Sequence, residues 1–185
     1  TGTATVIINP LPTGTISVPA NYICDGIPRI LTASANDAYQ WYLDQQLITG
    51  AVSSSYPAIA AGNYSVQFTS KEGCVNNAAN NIQLALYIKP VVDFIPDKQC
   101  LSTPINFINR SSFTSSGNIS WQWDFGDGST ANVFSPSHVY VAEGMYTISL
   151  TADNLSCPNL TEKFTNAFFI ESPIPAIRYP AVTAV

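Results

Sequence analysis

Short runs in which apolar residues, mostly β-branched or aromatic, alternate with polar ones recur along the chain. They fall at residues 4–9, 29–34, 39–43, 64–69, 82–88, 105–108, 120–125, 146–152 and 164–170. A period of two puts successive side chains on opposite faces of a strand, and Gly, Pro, Asn and Asp separate the runs. No segment holds an i, i+3, i+4, i+7 apolar spacing for three turns, and the Ala-containing stretch 58–61 stops at Gly62. The pattern predicts an all-β chain.

The linkers carry a repeat. Three times an apolar strand runs into a proline-marked joint: Val6-Ile7-Ile8-Asn9-Pro10-Leu11-Pro12, Leu86-Tyr87-Ile88-Lys89-Pro90, and Phe168-Phe169-Ile170-Glu171-Ser172-Pro173-Ile174-Pro175. Pro10 and Pro90 are 80 residues apart and Pro90 and Pro173 are 83 apart, the length of one small β-sandwich. Proline removes an N–H and restricts φ, which ends strand pairing and stiffens the joint. The expected division is a module over 13–89 and a second over 91–172. Residues 1–12 read as the last strand of a preceding module or a strand donated to a neighbour. Residues 173–185 read as a linker and the first strand of a following module, or a tail. Segments 3–9 and 176–185 are thus the expected contacts to neighbouring modules or other copies, by strand addition in the second case. An extra edge strand on its own module is the third alternative.

Composition narrows the function classes. Charged residues are 10% of the chain, against roughly 25% in an ordinary globular protein. Ser, Thr and Asn supply 50 of 185 residues, so hydroxyls and amides carry the polarity. A net charge of −5 offers no cationic surface for a phosphate backbone or an anionic membrane, and no apolar run approaches bilayer length. Neither nucleic acid nor membrane insertion is expected. With 46% hydrophobic residues the chain has ample material for a core.

Four cysteines, Cys24, Cys74, Cys100 and Cys157, form no CxxC pair, and one histidine leaves little for a zinc site. Disulfides are expected, and four cysteines allow three connectivities. The division near Pro90 favours Cys24 with Cys74 and Cys100 with Cys157, one bridge per module. Each would close a long loop and contribute up to about 4 kcal/mol, outside the reducing cytosol. TGTATVIINP has neither a basic nor an apolar leader region, which reads as a mature fragment or an excerpt.

In the first module the order Cys24, Trp41, Cys74 and the alternation in Tyr39-Gln40-Trp41-Tyr42 would put Trp41 inward with Tyr39. Tyr64, at the start of the strand leading to Cys74, is a candidate for a tyrosine corner. Ala61-Gly62-Asn63-Tyr64-Ser65-Val66 and the linker Asn9-Pro10-Leu11-Pro12 resemble Ig-like repeats of large surface proteins of Bacteroidetes-type bacteria.

In the second module Trp123-Asp124-Phe125-Gly126-Asp127-Gly128 is followed by Pro136-Ser137-His138-Val139-Tyr140 and by Gly144-Met145-Tyr146-Thr147-Ile148-Ser149-Leu150-Thr151. Trp121, Trp123 and Phe125 share a strand face and should be at least partly core. Asp127-Gly128 supplies a hairpin turn, and Gly144 permits tight entry to a strand where Tyr146, Ile148 and Leu150 point inward. These elements resemble the PKD domain, a β-sandwich of polycystin and of many bacterial surface and secreted proteins. The resemblance implies a bridge from the start of the module to its penultimate strand, which Cys100 and Cys157 match. The expected fold is two Ig-like/PKD-like antiparallel β-sandwiches in tandem, with one disulfide each.

Sharper chemistry finds little support. Asp124-Phe125-Gly126 spells a kinase triplet without the glycine loop, lysine or catalytic loop that would accompany it. Asp124 and Asp127 are candidate calcium ligands, though the spacing is not that of an EF-hand, and both also suit turns. His138 is the one ready general base, but its motif assigns it to packing or hydrogen bonding, and Ser137 lacks an orienting acid. Asp93, Asp97 and Glu171 flank the linkers as solvated groups or inter-module calcium ligands. Paired-carboxylate glycosidase chemistry needs a cleft, which two small sandwiches would offer only if one forms between them. Asn63, Asn109, Asn118, Asn154 and Asn159 begin N-x-S/T sites. Tyr42, Phe113, Phe134 and Tyr179 are candidates for stacking on surface glycans.

These readings point to a non-enzymatic structural and adhesive repeat segment of a large extracellular bacterial surface protein or filament, built of disulfide-stapled spacers. By resemblance, such arrays occur in adhesins exported by the type IX system, gliding adhesins included. The alternative is a non-catalytic glycan-binding or spacer appendage of a secreted hydrolase.

Overall fold

The computed structural model describes residue 2, residues 7–113 and residues 118–172, and every regular element among them is a strand. Two compact units are present, one running to Ile88 and the other starting at Lys89.

The first unit contains β1 (Ile16–Ser17), β2 (Tyr22–Cys24), β3 (Arg29–Ala33), β4 (Ala38–Leu43), β5 (Gln46–Leu47), β6 (Ser55–Ala58), β7 (Gly62–Thr69), β8 (Val75–Asn77) and β9 (Ile82–Tyr87). One sheet has the order β1-β3-β6 and the other the order β2-β9-β7-β4-β5. Strand β7 is the spine of the larger sheet. One edge pairs with β4, from Ala38↔Thr69 to Leu43↔Tyr64. The other edge pairs with β9 at its beginning and with β8 at its end. Its alternation buries Tyr64, Val66 and Phe68, which meet Trp41, Leu31, Leu84 and Ile23 between the sheets.

The second unit contains β10 (Phe94–Pro96), β11 (Ile105–Asn109), β12 (Ile119–Asp124), β13 (Thr130–Ala131), β14 (Ser137–His138), β15 (Gly144–Asn154) and β16 (Thr161–Ile170). Its sheets run β10-β11-β14 and β13-β12-β15-β16, antiparallel throughout. Ile148, Leu150 and Ala152 of β15 meet Trp123, Phe125, Phe94, Phe107 and Tyr140 in one core. Trp121, sharing the inward face of β12, is only partly buried and lies between Phe113 and Phe134 at ring distances of 6.2 and 5.2 Å.

Both units use the same devices. Trp41 and Trp123, Gly62 and Gly144, and Tyr64 and Tyr146 each stand 82 residues apart. The indole N–H groups donate to Ser53 O at 2.8 Å and to Val133 O at 2.9 Å. Tyr64 and Tyr146 donate their hydroxyls to the carbonyls of Ala60 and Ala142, four residues upstream, both at 2.9 Å. Each is a tyrosine corner, tying the start of the strand to the preceding turn. The ladder register is not copied: Trp41 pairs with Val66, whereas Trp123 pairs with Leu150 rather than Ile148.

The expected cysteine pairing is corrected. Cys74 and Cys100 are free thiols, so neither the Cys24–Cys74 nor the Cys100–Cys157 bridge exists. The sheets explain why. Cys24 pairs beside Tyr87, beyond the first residues of β7, and Cys74 lies in the turn beyond Thr69 at the other end of that strand. Likewise Cys100 bridges Glu171 at the Gly144 end of β15, and Cys157 follows its last residue, Asn154. Ten or so strand residues, about 30 Å, separate the members of each pair, against a Cα separation below about 7 Å in a disulfide.

The strand expected over 4–9 falls largely outside the described residues, and Ile7, Ile8 and Asn9 are exposed and unpaired into strands. The expected strand over 176–185, with Tyr179, lies wholly outside them.

Candidate functional site

The densest arrangement of polar chemistry is the signature cluster of the second unit. Strand β12 delivers Trp123 to the core, and the chain then turns through Phe125–Ser129 into β13. Asp124 Oδ1 accepts the Gly126 N–H, and Asp127 Oδ1 accepts that of Ser129, each at 2.9 Å. Both carboxylates therefore shape the turn. Gly126 and Gly128 adopt φ of +78° and +91°. Among the described residues, no three His, Cys, Asp or Glu side chains gather as a metal site.

His138, on β14, lies flat on Phe125 with ring centroids 4.3 Å apart and planes 8° apart, and meets Tyr140 edge-on at 4.7 Å. Its Nε2 is 2.7 Å from Asp127 Oδ2. Tyr140 is fully buried and donates its hydroxyl to Phe125 O at 2.9 Å, while its ring packs on Tyr146 at 4.2 Å. The cluster thus brings together His138, Tyr140, Tyr146, Phe125 and Asp127. Among the described residues, no hydroxyl is hydrogen-bonded to the His138 ring as a nucleophile would be, and neighbouring Ser137 is exposed on the edge of its sheet.

The electrostatics fit a buttress. Burial pushes the Tyr140 phenol far above its ordinary range, helped by the negative charges of Asp127 and Asp124, so it stays a proton donor to Phe125 O. At Asp127 burial pushes the carboxyl up. It is outweighed by the hydrogen bonds from His138 and Ser129 and by the His138 charge, and the net shift is downward. A carboxyl lowered on folding stabilises the fold fully above its ordinary value near 4 and loses that contribution as pH falls through the folded value. We therefore expect Asp127→Asn to cost about 1 kcal/mol at pH 6, with the gap to wild type closing as pH falls below the ordinary carboxylate range. Urea denaturation of both proteins across that range checks this, and a gap that persists at low pH would contradict it.

The remaining candidates are dispersed. Asp97 is exposed and accepts the backbone and side-chain N–H groups of Asn106 at 2.9 and 2.7 Å, which hold its carboxyl below the usual range. The Asn109 and Asn154 side chains are buried, so two of the five N-x-S/T sites are inaccessible in the fold. Sequence reasoning missed the Tyr146 corner, for which the shared spacing Ala60-x-Gly62-x-Tyr64 and Ala142-x-Gly144-x-Tyr146 was the available signal.

Residues 88–165 match the PKD domain family, and the match spans the whole signature cluster. The second unit is a PKD domain. Solved structures similar to the chain include the PKD1 domain of Vibrio anguillarum Epp, 30% identical, covering 47% of this chain and 99% of that one with a TM-score of 0.42. The PKD1 domain of the Vibrio cholerae metalloprotease PrtV is 29% identical, covering 45% of this chain and 99% of that one with a TM-score of 0.40. The ectodomain of mouse nectin-like molecule 4, with three Ig domains, is 12% identical over 89% of this chain and 66% of that one, with a TM-score of 0.47. PKD domains are non-catalytic accessory domains of extracellular or secreted proteins. In this PKD domain the signature residues are spent on the turn, the aromatic stack and the core.

Proposed function

We propose that the chain is a structural and adhesive segment of a large extracellular bacterial surface protein or filament, in which a first β-sandwich and the PKD domain act as rigid spacers and carry no catalytic activity. The supporting observation is that the PKD signature, from Trp123 to Tyr146, is engaged in hydrogen bonds and ring contacts within its own fold. A surface carried by hydroxyls and amides, with 10% charged residues, suits interactions that depend little on ionic strength. In this reading segments 3–9 and 176–185 join the spacers to neighbouring modules or copies.

Antibodies raised against the full chain test the proposal on the bacterium that produces it. Labelling of intact cells that external protease removes is the expected result. Antigen confined to the cytosol would overturn the reading, and antigen on a soluble secreted hydrolase would replace it with the appendage alternative.

A further inference from the structure

We propose that the outward face of the larger sheet in the first unit, centred on Tyr42, is a binding site for neutral glycans. Trp41 points into the core, so the alternation of β4 turns Tyr42 to the other face, beside its cross-strand partner Ser65 on β7. Tyr42, Gln45, Ser65, Gln67, Asn77 and Asn81 line a depression of about 340 Å³. It holds one aromatic ring, four side-chain amides and two hydroxyls, and none of these residues is charged.

That set matches what an uncharged sugar presents. A pyranose offers a face of C–H groups that stacks on an aromatic ring, and a rim of hydroxyls that each donate and accept. A side-chain amide also donates and accepts, so it satisfies such a hydroxyl without a charge. The polar groups here are available. Gln67 Nε2 reaches Asn77 Oδ1 only at 3.4 Å. Among the described residues, the hydroxyls of Tyr42 and Ser65 and the amides of Gln45 and Asn81 bond to no protein group. Gln40, on the same face, differs in that its amide is held by the carbonyls of Trp41 and Ile48.

The site stands on fixed backbone. Asp44 and Gln45 turn the chain from β4 to β5 at φ of 47° and 67°, and the Asp44 carboxylate accepts the Asn63 N–H at 2.8 Å. The corresponding face of the PKD domain supplies a contrast. There Asp124 follows Trp123 as Tyr42 follows Trp41, and the depression at this position is about 150 Å³ and bordered by Asp124 and Lys163. The same architecture therefore sets an aromatic ring among uncharged side chains at this position in one unit and a carboxylate beside a lysine in the other. This inference goes beyond the spacer reading, which stands whether or not the first unit holds sugar.

Affinity electrophoresis of the full chain in gels containing soluble mannan, xylan, mixed-linkage β-glucan, alginate or gelatin tests it. Retardation in at least one neutral polysaccharide is expected, equally at 50 and 500 mM NaCl. Tyr42→Ala should weaken it at least about tenfold and Tyr42→Phe much less, since the ring remains. Asn81→Ala, at an exposed position, should weaken it severalfold and serves if Tyr42→Ala fails to fold. Retardation in none of the neutral gels, in alginate or gelatin alone, or retardation that neither Tyr42→Ala nor Asn81→Ala reduces would overturn the proposal.

Discussion

Trp123→Ala is expected to destabilise the PKD domain by about 3–5 kcal/mol, comparable with the entire stability of a marginal domain. The indole is fully buried and contacts Phe94, Phe107 and Phe125, with ring centroids 5.0, 5.8 and 6.3 Å away. Removing it leaves a void among aromatic side chains that are themselves locked by packing, so collapse can fill little of it. The carbonyl of Val133 also loses the N–H that satisfies it at 2.9 Å. Trp123→Phe keeps most of the apolar area and loses the hydrogen bond, and should cost roughly 1–3 kcal/mol. Urea denaturation followed by near-ultraviolet circular dichroism reads both variants. Equal losses would mean that the hydrogen bond, not the packing, dominates.

Gly126→Ala should be nearly as damaging, at about 2–4 kcal/mol, although it adds one methyl group. At φ of +78° a side chain costs about 1–2 kcal/mol by itself. A Cβ here would also lie 2.5 Å from Thr147 O and 3.0 Å from Thr147 N, backbone atoms of the central strand that cannot move aside. Gly128 isolates the first contribution, because its φ is +91° but nothing lies within 4 Å of an added Cβ. Gly128→Ala is therefore expected to cost only the conformational part, about 1–2 kcal/mol. Comparison of the two denaturation midpoints decides the matter, and equal effects would show that the approach to Thr147 is relieved without cost.

The long strands were legible in the sequence. Arg29–Ala33, Ala38–Leu43, Gly62–Thr69, Ile82–Tyr87, Ile119–Asp124, Gly144–Asn154 and Thr161–Ile170 all lie close to their period-two patterns, because each must bury one face against the opposing sheet. The short strands were not. Ile16–Ser17, Gln46–Leu47 and Ser137–His138 span two residues, too few for any period to register. They exist because a neighbouring strand offers an edge, or, at Ile16, because the Asn80 amide bonds both its N–H and its carbonyl at 2.8 Å.

The signature cluster divides the same way. Its residue types announced a turn and an aromatic core. That His138 Nε2 would meet Asp127 Oδ2 depends on β14 being carried to the turn after β12 by the opposite sheet. The cysteines show the limit most plainly. Equal division by chain order suggested one bridge per module, although Cys74 follows Lys71-Glu72-Gly73 and Cys157 sits in Asn154-Leu155-Ser156-Cys157-Pro158, both turn sequences. A cysteine in a turn lies at an end of the sandwich, and its partner must lie near that end.

The sequence by itself determined the all-β class, the two aromatic cores and the PKD signature, because alternation, glycine placement and buried tryptophans are local consequences of residue type. Only the tertiary structure decided which cysteines stay free, what His138 touches and which sheet face carries an uncharged aromatic depression. Those depend on which ends and edges the fold brings together, and separation along the chain does not encode distance across a sheet.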